Sequence, residues 1–102
     1  MGRVRITVLH KSFFPELANT YLTDGDAVGP CDLLEEGQVY LYEGDGEKPT
    51  GFCPWAWADL FRYVCALAAG ADYSPWHKQA GAQLRCCSDG VRPVAFYLER
   101  ID

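Results

Sequence analysis

The stretch AQLRCCSDGVRPVAFYLERI, Ala82 to Ile101, reads as two strands around a turn, and its reading decides the fold. Ala82–Cys87 and Arg92–Ile101 flank Ser88-Asp89-Gly90-Val91. An Asp-Gly pair tolerates the positive φ angles of a tight hairpin, so the two strands are expected to pair antiparallel. Val94, Phe96 and Leu98 then face the core alongside Leu84 and Cys86. Cys87 is expected to point the other way, because neighbouring strand residues alternate sides.

Working outward, Arg3 to Leu9 also alternates, with Val4, Ile6 and Val8 opposite Arg3, Arg5 and Thr7, the pattern of a half-buried strand. Gln38 to Glu43 sets Val39 and Leu41 against Tyr40 and Tyr42 and predicts a further strand. Placing Tyr40, Tyr42 and Tyr97 on an outer sheet face leaves a homodimer open. Phe13 to Tyr21, with Pro15 in its first turn, reads as a short helix. The long helix runs from Trp55 to Ala69: Trp57, Phe61, Val64 and Ala68 form one apolar stripe, and Leu60, Val64 and Leu67 its neighbour. Pro54 suits its first position, Gly70 its end, and Asp59 and Arg62 its solvent face. The expected architecture is α+β, a single domain over residues 1–102. A largely antiparallel four-stranded sheet in ββαββ order carries one main helix on one face, curled toward a half barrel.

A chain of 102 residues can bury one core but not two, and 49% hydrophobic content with 14% aromatics is that of a folded protein. A net charge of −5 with scattered Lys and Arg argues against tracking a phosphate backbone, so no nucleic-acid partner is expected. No stretch approaches the roughly 20 apolar residues of a membrane span, and the N-terminus lacks the apolar block of a signal peptide. The expectation is a cytoplasmic protein with no membrane partner. In a reducing compartment five cysteines, an odd number, point to free thiols, metal ligands or redox groups rather than a disulfide framework.

Four of these cysteines stand at element ends or in turns. Cys53, preceding Pro54, falls at the N-cap of the long helix, where the positive end of the helix dipole favours a thiolate; packing between Phe52 and Trp55 is the competing role. Cys31 follows Gly29-Pro30 in a stiff loop. Cys86 and Cys87 form an adjacent pair at a strand end, so one is expected in the core and the other at the site. Cys65, within the helix, reads as core. His10 and His77 read better as ordinary surface or hydrogen-bonded histidines than as ligands. With no C-x-x-C pair, a zinc ribbon or thioredoxin signature is absent. Convergence of Cys31, Cys53, Cys86 and Cys87 would instead build a thiolate site suited to zinc, copper(I) or an iron–sulfur cluster. Trp55, Trp57 and Trp76 are candidates to line a ligand pocket. Asp24, Asp26, Asp32, Glu35 and Glu36 read as a solvated face.

The motifs Val28-Gly29-Pro30-Cys31, Glu36-Gly37-Gln38, Gly51-Phe52-Cys53-Pro54-Trp55-Ala56-Trp57-Ala58-Asp59 and Cys86-Cys87-Ser88-Asp89-Gly90-Val91-Arg92-Pro93-Val94 resemble those of a group of small bacterial and archaeal proteins. These have about this length and no assigned activity. The resemblance covers Val4 to Ile101 and implies that Cys31, Cys53 and the Cys86-Cys87 pair are signature positions. It implies no substrate or cofactor. Three functions therefore remain in view: soft-metal binding through the cysteines, thiol redox or nucleophilic catalysis through Cys53, and a non-catalytic binding module with structural cysteines. Whether the protein is an enzyme stays open at this point.

Overall fold

A computed structural model describes residues 2–102. Among them the order is β1 (Val4–Lys11), α1 (Pro15–Tyr21), a 3-10 turn (Gly25–Ala27), β2 (Val39–Tyr42), α2 (Pro54–Ala68), β3 (Ala82–Cys86) and β4 (Val94–Arg100). The four strands form one open antiparallel sheet in the order β2-β1-β4-β3. The class is α+β, as the sequence implies, and the sheet does not close.

The helix is shaped by its ends. Pro54 takes the first helical position, where its missing N–H has no partner to lose, and Cys53 is the N-cap. At the other end Gly70 adopts φ +105°, and the N–H groups of Gly70 and Ala71 donate to the carbonyls of Leu67 and Ala66, a Schellman closure. Arg100 on β4 adds a clamp, its guanidinium donating to the carbonyls of Leu67 at 2.7 Å and Ala71 at 3.2 Å. The buried stripe is Ala56, Leu60, Val64, Leu67 and Ala68. Trp57 and Phe61 flank it, their ring centroids 5.2 Å apart, with Phe61 40% exposed. The stripe packs on Val4, Ile6, Val8, Val94, Phe96 and Leu98 from the inner face of the sheet.

Two strands turn the other way from their sequence reading. On β2, Tyr42 is fully buried and Tyr40 packs on the core, while Val39 is 55% exposed. Pairing decides this: Val4 faces Tyr42 and Ile6 faces Tyr40, and partners across a ladder share a side, so the tyrosines follow Val4 and Ile6 inward. The inner face gains an aromatic cluster, with Tyr42 5.7 Å from Trp57 and Tyr40 4.9 Å from Phe52. Of the three tyrosines expected outside, only Tyr97 is opposite an outer-face residue, Thr7. On β3, Leu84 and Cys86 pair with Tyr97 and Ala95 and are exposed, whereas Gln83 pairs with Leu98 and is buried. Alternation therefore carries Cys87 to the inner side, where it packs against the core.

The β3–β4 connection is also longer than a two-residue turn. Gly90 is not among the positive-φ glycines. Instead Asp89 Oδ1 accepts the N–H groups of Val91 and Arg92, both at 2.9 Å, folding residues 89–92 as an Asx turn. The polar loop after β2 is likewise tied down: Tyr42 Oη accepts the Gly46 N–H at 2.9 Å and Lys48 Nζ donates to the Phe52 carbonyl at 2.7 Å.

Candidate functional site

At the N-terminal end of α2 a cleft of about 390 Å³ opens between three segments distant in sequence. Cys53 and Trp55 come from the helix start, Cys31, Leu33 and Leu34 from the irregular stretch before β2, and Cys87, Ser88, Asp89 and Arg92 from the β3–β4 loop. Ala56 and Val94 bring core surface to it. Its walls are apolar and sulfur-rich, with two carboxylates and one guanidinium among its lining groups.

Cys53 is there because Pro54 fixes the helix start, and because Phe52, 1% exposed, anchors the preceding residue. Phe52 meets Tyr40, Phe96 and Trp57 edge-on, at centroid distances of 4.9, 5.6 and 6.4 Å. Although Cys53 occupies the N-cap, its side chain caps no backbone N–H and is free for other chemistry. Cys31 lies in a segment, 28–34, that is neither helix nor strand and is pinned by buried Leu34, whose carbonyl accepts Lys11 Nζ at 3.0 Å. Cys87 is fixed on both sides: its N–H donates to the Val94 carbonyl at 3.1 Å, and its Sγ accepts the Val94 N–H at 3.3 Å.

Three of the four expected cysteines thus share the cleft. Cys86 does not, because it faces outward on β3. All five cysteines are free thiols. Cys65 sits on the helix flank with its Sγ 3.7 Å from Tyr42 Oη, in agreement with a packing role. Burial raises the Tyr42 phenol pKa above its ordinary value, and the contact with Cys65 adds to the rise. Among the described residues, no group of three or more His, Cys, Asp or Glu side chains is gathered closely enough to hold a metal ion. The three thiols line one cleft without forming a ready-made coordination shell.

Of the tryptophans, Trp55 alone lines this cleft, 77% exposed at its side. Trp57 belongs to the aromatic cluster around Tyr42 and Phe52, and Trp76 stands in solvent on the 71–81 loop, stacked edge-on against His77. Neither histidine lines the cleft. His10 Nδ1 is 3.3 Å from a Glu36 carboxylate oxygen, and His77 Nε2 accepts the Leu84 N–H at 3.0 Å. The five acidic residues from Asp24 to Glu36 are exposed, as the charge run implies.

Sequence reasoning missed Asp59, Asp89 and Arg92. Asp59, assigned to solvent by helical periodicity, accepts hydrogen bonds from both the N–H and the hydroxyl of Ser88. Burial opposes the charge on Asp89, but the N–H groups of Arg92 and Val91 and the Arg92 guanidinium outweigh it and hold this carboxyl below its ordinary pKa. A serine and an aspartate just after the cysteine pair signal a turn; nothing in their spacing announces a partner on the helix.

No helix among the described residues is long and apolar enough to cross a membrane. No protein-family model, curated protein or solved structure matches this chain.

Proposed function

We propose that this is a reactive-thiol protein whose site is the cleft at the start of α2, with Cys53 as the attacking sulfur. The substrate class is a small soft electrophile, of which a low-molecular-weight disulfide is the simplest case. The carrying observation is that Cys31, Cys53 and Cys87 line one cleft while Cys65 and Cys86 are directed elsewhere. The volume suits a small ligand, since such sites start at about 300 Å³. In the step proposed, the Cys53 thiolate forms a bond to one sulfur of the disulfide; the other sulfur leaves as a thiolate and takes up a proton from water. This reading places the protein in a reducing compartment, the cytoplasm, where its thiols stay free. Replacing Cys53 by serine is the test: it should abolish the fast phase of thiolate release from a chromogenic aromatic disulfide, and the Cys86→Ser control should retain it. A fast phase surviving in Cys53→Ser would overturn the assignment.

A second reading, soft-metal binding through Cys31, Cys53 and Cys87, draws on the softness of the three donors. It requires the three thiols to draw closer together, because no coordination shell is assembled among the described residues. Zinc, copper or iron retained stoichiometrically after purification without chelators, and lost in Cys31→Ser, would favour it over thiol chemistry.

A further inference from the structure

We infer that Asp59 is a positioning residue for Cys87, acting through Ser88 to hold the third thiol in the cleft. The inference rests on the reading of this cleft as the thiol site. It joins two motifs that the sequence shows far apart, the Asp that ends Trp55-Ala56-Trp57-Ala58-Asp59 and the Ser that follows Cys86-Cys87.

Asp59 lies on α2 six residues after Cys53, about one and two-thirds turns along the helix. Its Oδ2 accepts the Ser88 N–H at 2.8 Å and the Ser88 hydroxyl at 3.0 Å. Both bonds end on a carboxylate, the stronger class of hydrogen bond. Ser88 is covalently next to Cys87, so a carboxylate on the helix fixes the loop one residue from the thiol. The other side of Cys87 is fixed by Val94, through a main-chain hydrogen bond and a bond to the sulfur. Beyond Ser88, the Asx turn of Asp89 stiffens the loop. Of these restraints, the Asp59–Ser88 pair alone reaches from the loop to the helix that carries Cys53. Without it, Cys87 keeps its strand partner and loses its fixed distance from the helix start.

The test is the rate at which each cysteine is alkylated by iodoacetamide, read peptide by peptide by mass spectrometry. It compares the wild-type chain with Asp59→Ala, Asp59→Asn and Ser88→Ala. Loss of both bonds in Asp59→Ala should raise the Cys87 rate about tenfold, the loss of a charged hydrogen bond being worth roughly that factor or more. Ser88→Ala retains the main-chain bond, and Asp59→Asn can keep both on its amide oxygen as weaker uncharged bonds, so each should give an intermediate increase. Cys65, half-buried on the same helix, is the internal control and should not change. An unchanged Cys87 rate in Asp59→Ala overturns the inference, as does a parallel rise at Cys65, which marks general loosening. If Asp59→Ala does not fold, Ser88→Ala decides by the same criteria. Cys87 in the variants judges the positioning role, whereas Cys53 in the wild-type chain judges the proposed function, so either can fail alone.

Discussion

Replacing Phe52 by alanine probes the packing that places Cys53. The ring is 1% exposed and meets Tyr40, Phe96 and Trp57 edge-on at 4.9, 5.6 and 6.4 Å, so it joins β2, β4 and the start of α2. Truncating a buried phenylalanine costs about 3–5 kcal/mol through lost transfer energy and the cavity left behind. The three aromatic contacts place Phe52 toward the upper part of that range, since each edge-to-face pair adds about 0.5–1.5 kcal/mol beyond area burial. A loss of about 4 kcal/mol is a large fraction of the total for a domain stable by about 5–15 kcal/mol. For a chain of this size it lowers Tm by about 15–30 °C. Urea unfolding followed by tryptophan fluorescence gives the free energy, and an unchanged slope with denaturant shows that the same two states are compared. Phe52→Leu, which keeps much of the apolar area, should recover roughly half of the loss. A cost below about 1.5 kcal/mol for Phe52→Ala would refute the reasoning, because such a value fits a site able to collapse or one not buried in solution.

Three further outcomes follow from specific contacts. Tyr42→Phe strips the acceptor from the Gly46 N–H and the contact with Cys65, and should cost about 1–3 kcal/mol in urea unfolding; no loss would return Tyr42 to the outer face. Gly70→Ala forces a Cβ into φ +105° at the end of α2 and should cost about 1–2 kcal/mol by the same measurement, despite open space around the position. Asp89 has a folded-state pKa below its ordinary 3.8, so its contribution is present above that value and is lost as pH falls through the folded pKa. Acid titration by NMR should show the Val91 and Arg92 amide resonances shifting together at a midpoint below 3.8, and Asp89→Asn should remove that transition.

The long helix and its caps were legible because their signals are local: Pro54, Gly70 and the 3.6-residue stripe each act within a turn of chain. Strand positions were legible for the same reason, since alternation and turn residues mark a strand wherever it pairs. Which side a strand presents was legible on β1 and β4 but not on β2 and β3. Val39-Tyr40-Leu41-Tyr42 is apolar on both faces, so only its register against Val4 and Ile6 decides that the tyrosines turn inward. Leu84 and Cys86 misled in a similar way, because burial on β3 follows the ladder to Tyr97 and Ala95 rather than the hydrophobicity of the residue itself. At the site, Cys31, Cys53 and the cysteine pair could be singled out from their places at turns and element ends. The choice of Cys87 over Cys86, and the bond from Asp59 to Ser88, depend on tertiary geometry that no spacing encodes. Trp57 and Trp76 illustrate the same limit: an indole suits a pocket, a core or a surface, and packing assigns them to the last two.

In the function proposed, Cys53, half-buried in the cleft, is the sulfur that attacks the electrophile. The measurement that bears on this role most directly is the alkylation rate of each cysteine in the wild-type chain under trace labelling at neutral pH. If Cys53 is the attacking sulfur of the cleft, it should react about tenfold faster than Cys86 at neutral pH, the reverse of the order their exposure alone would give. A Cys53 rate at or below that of Cys86 would contradict it.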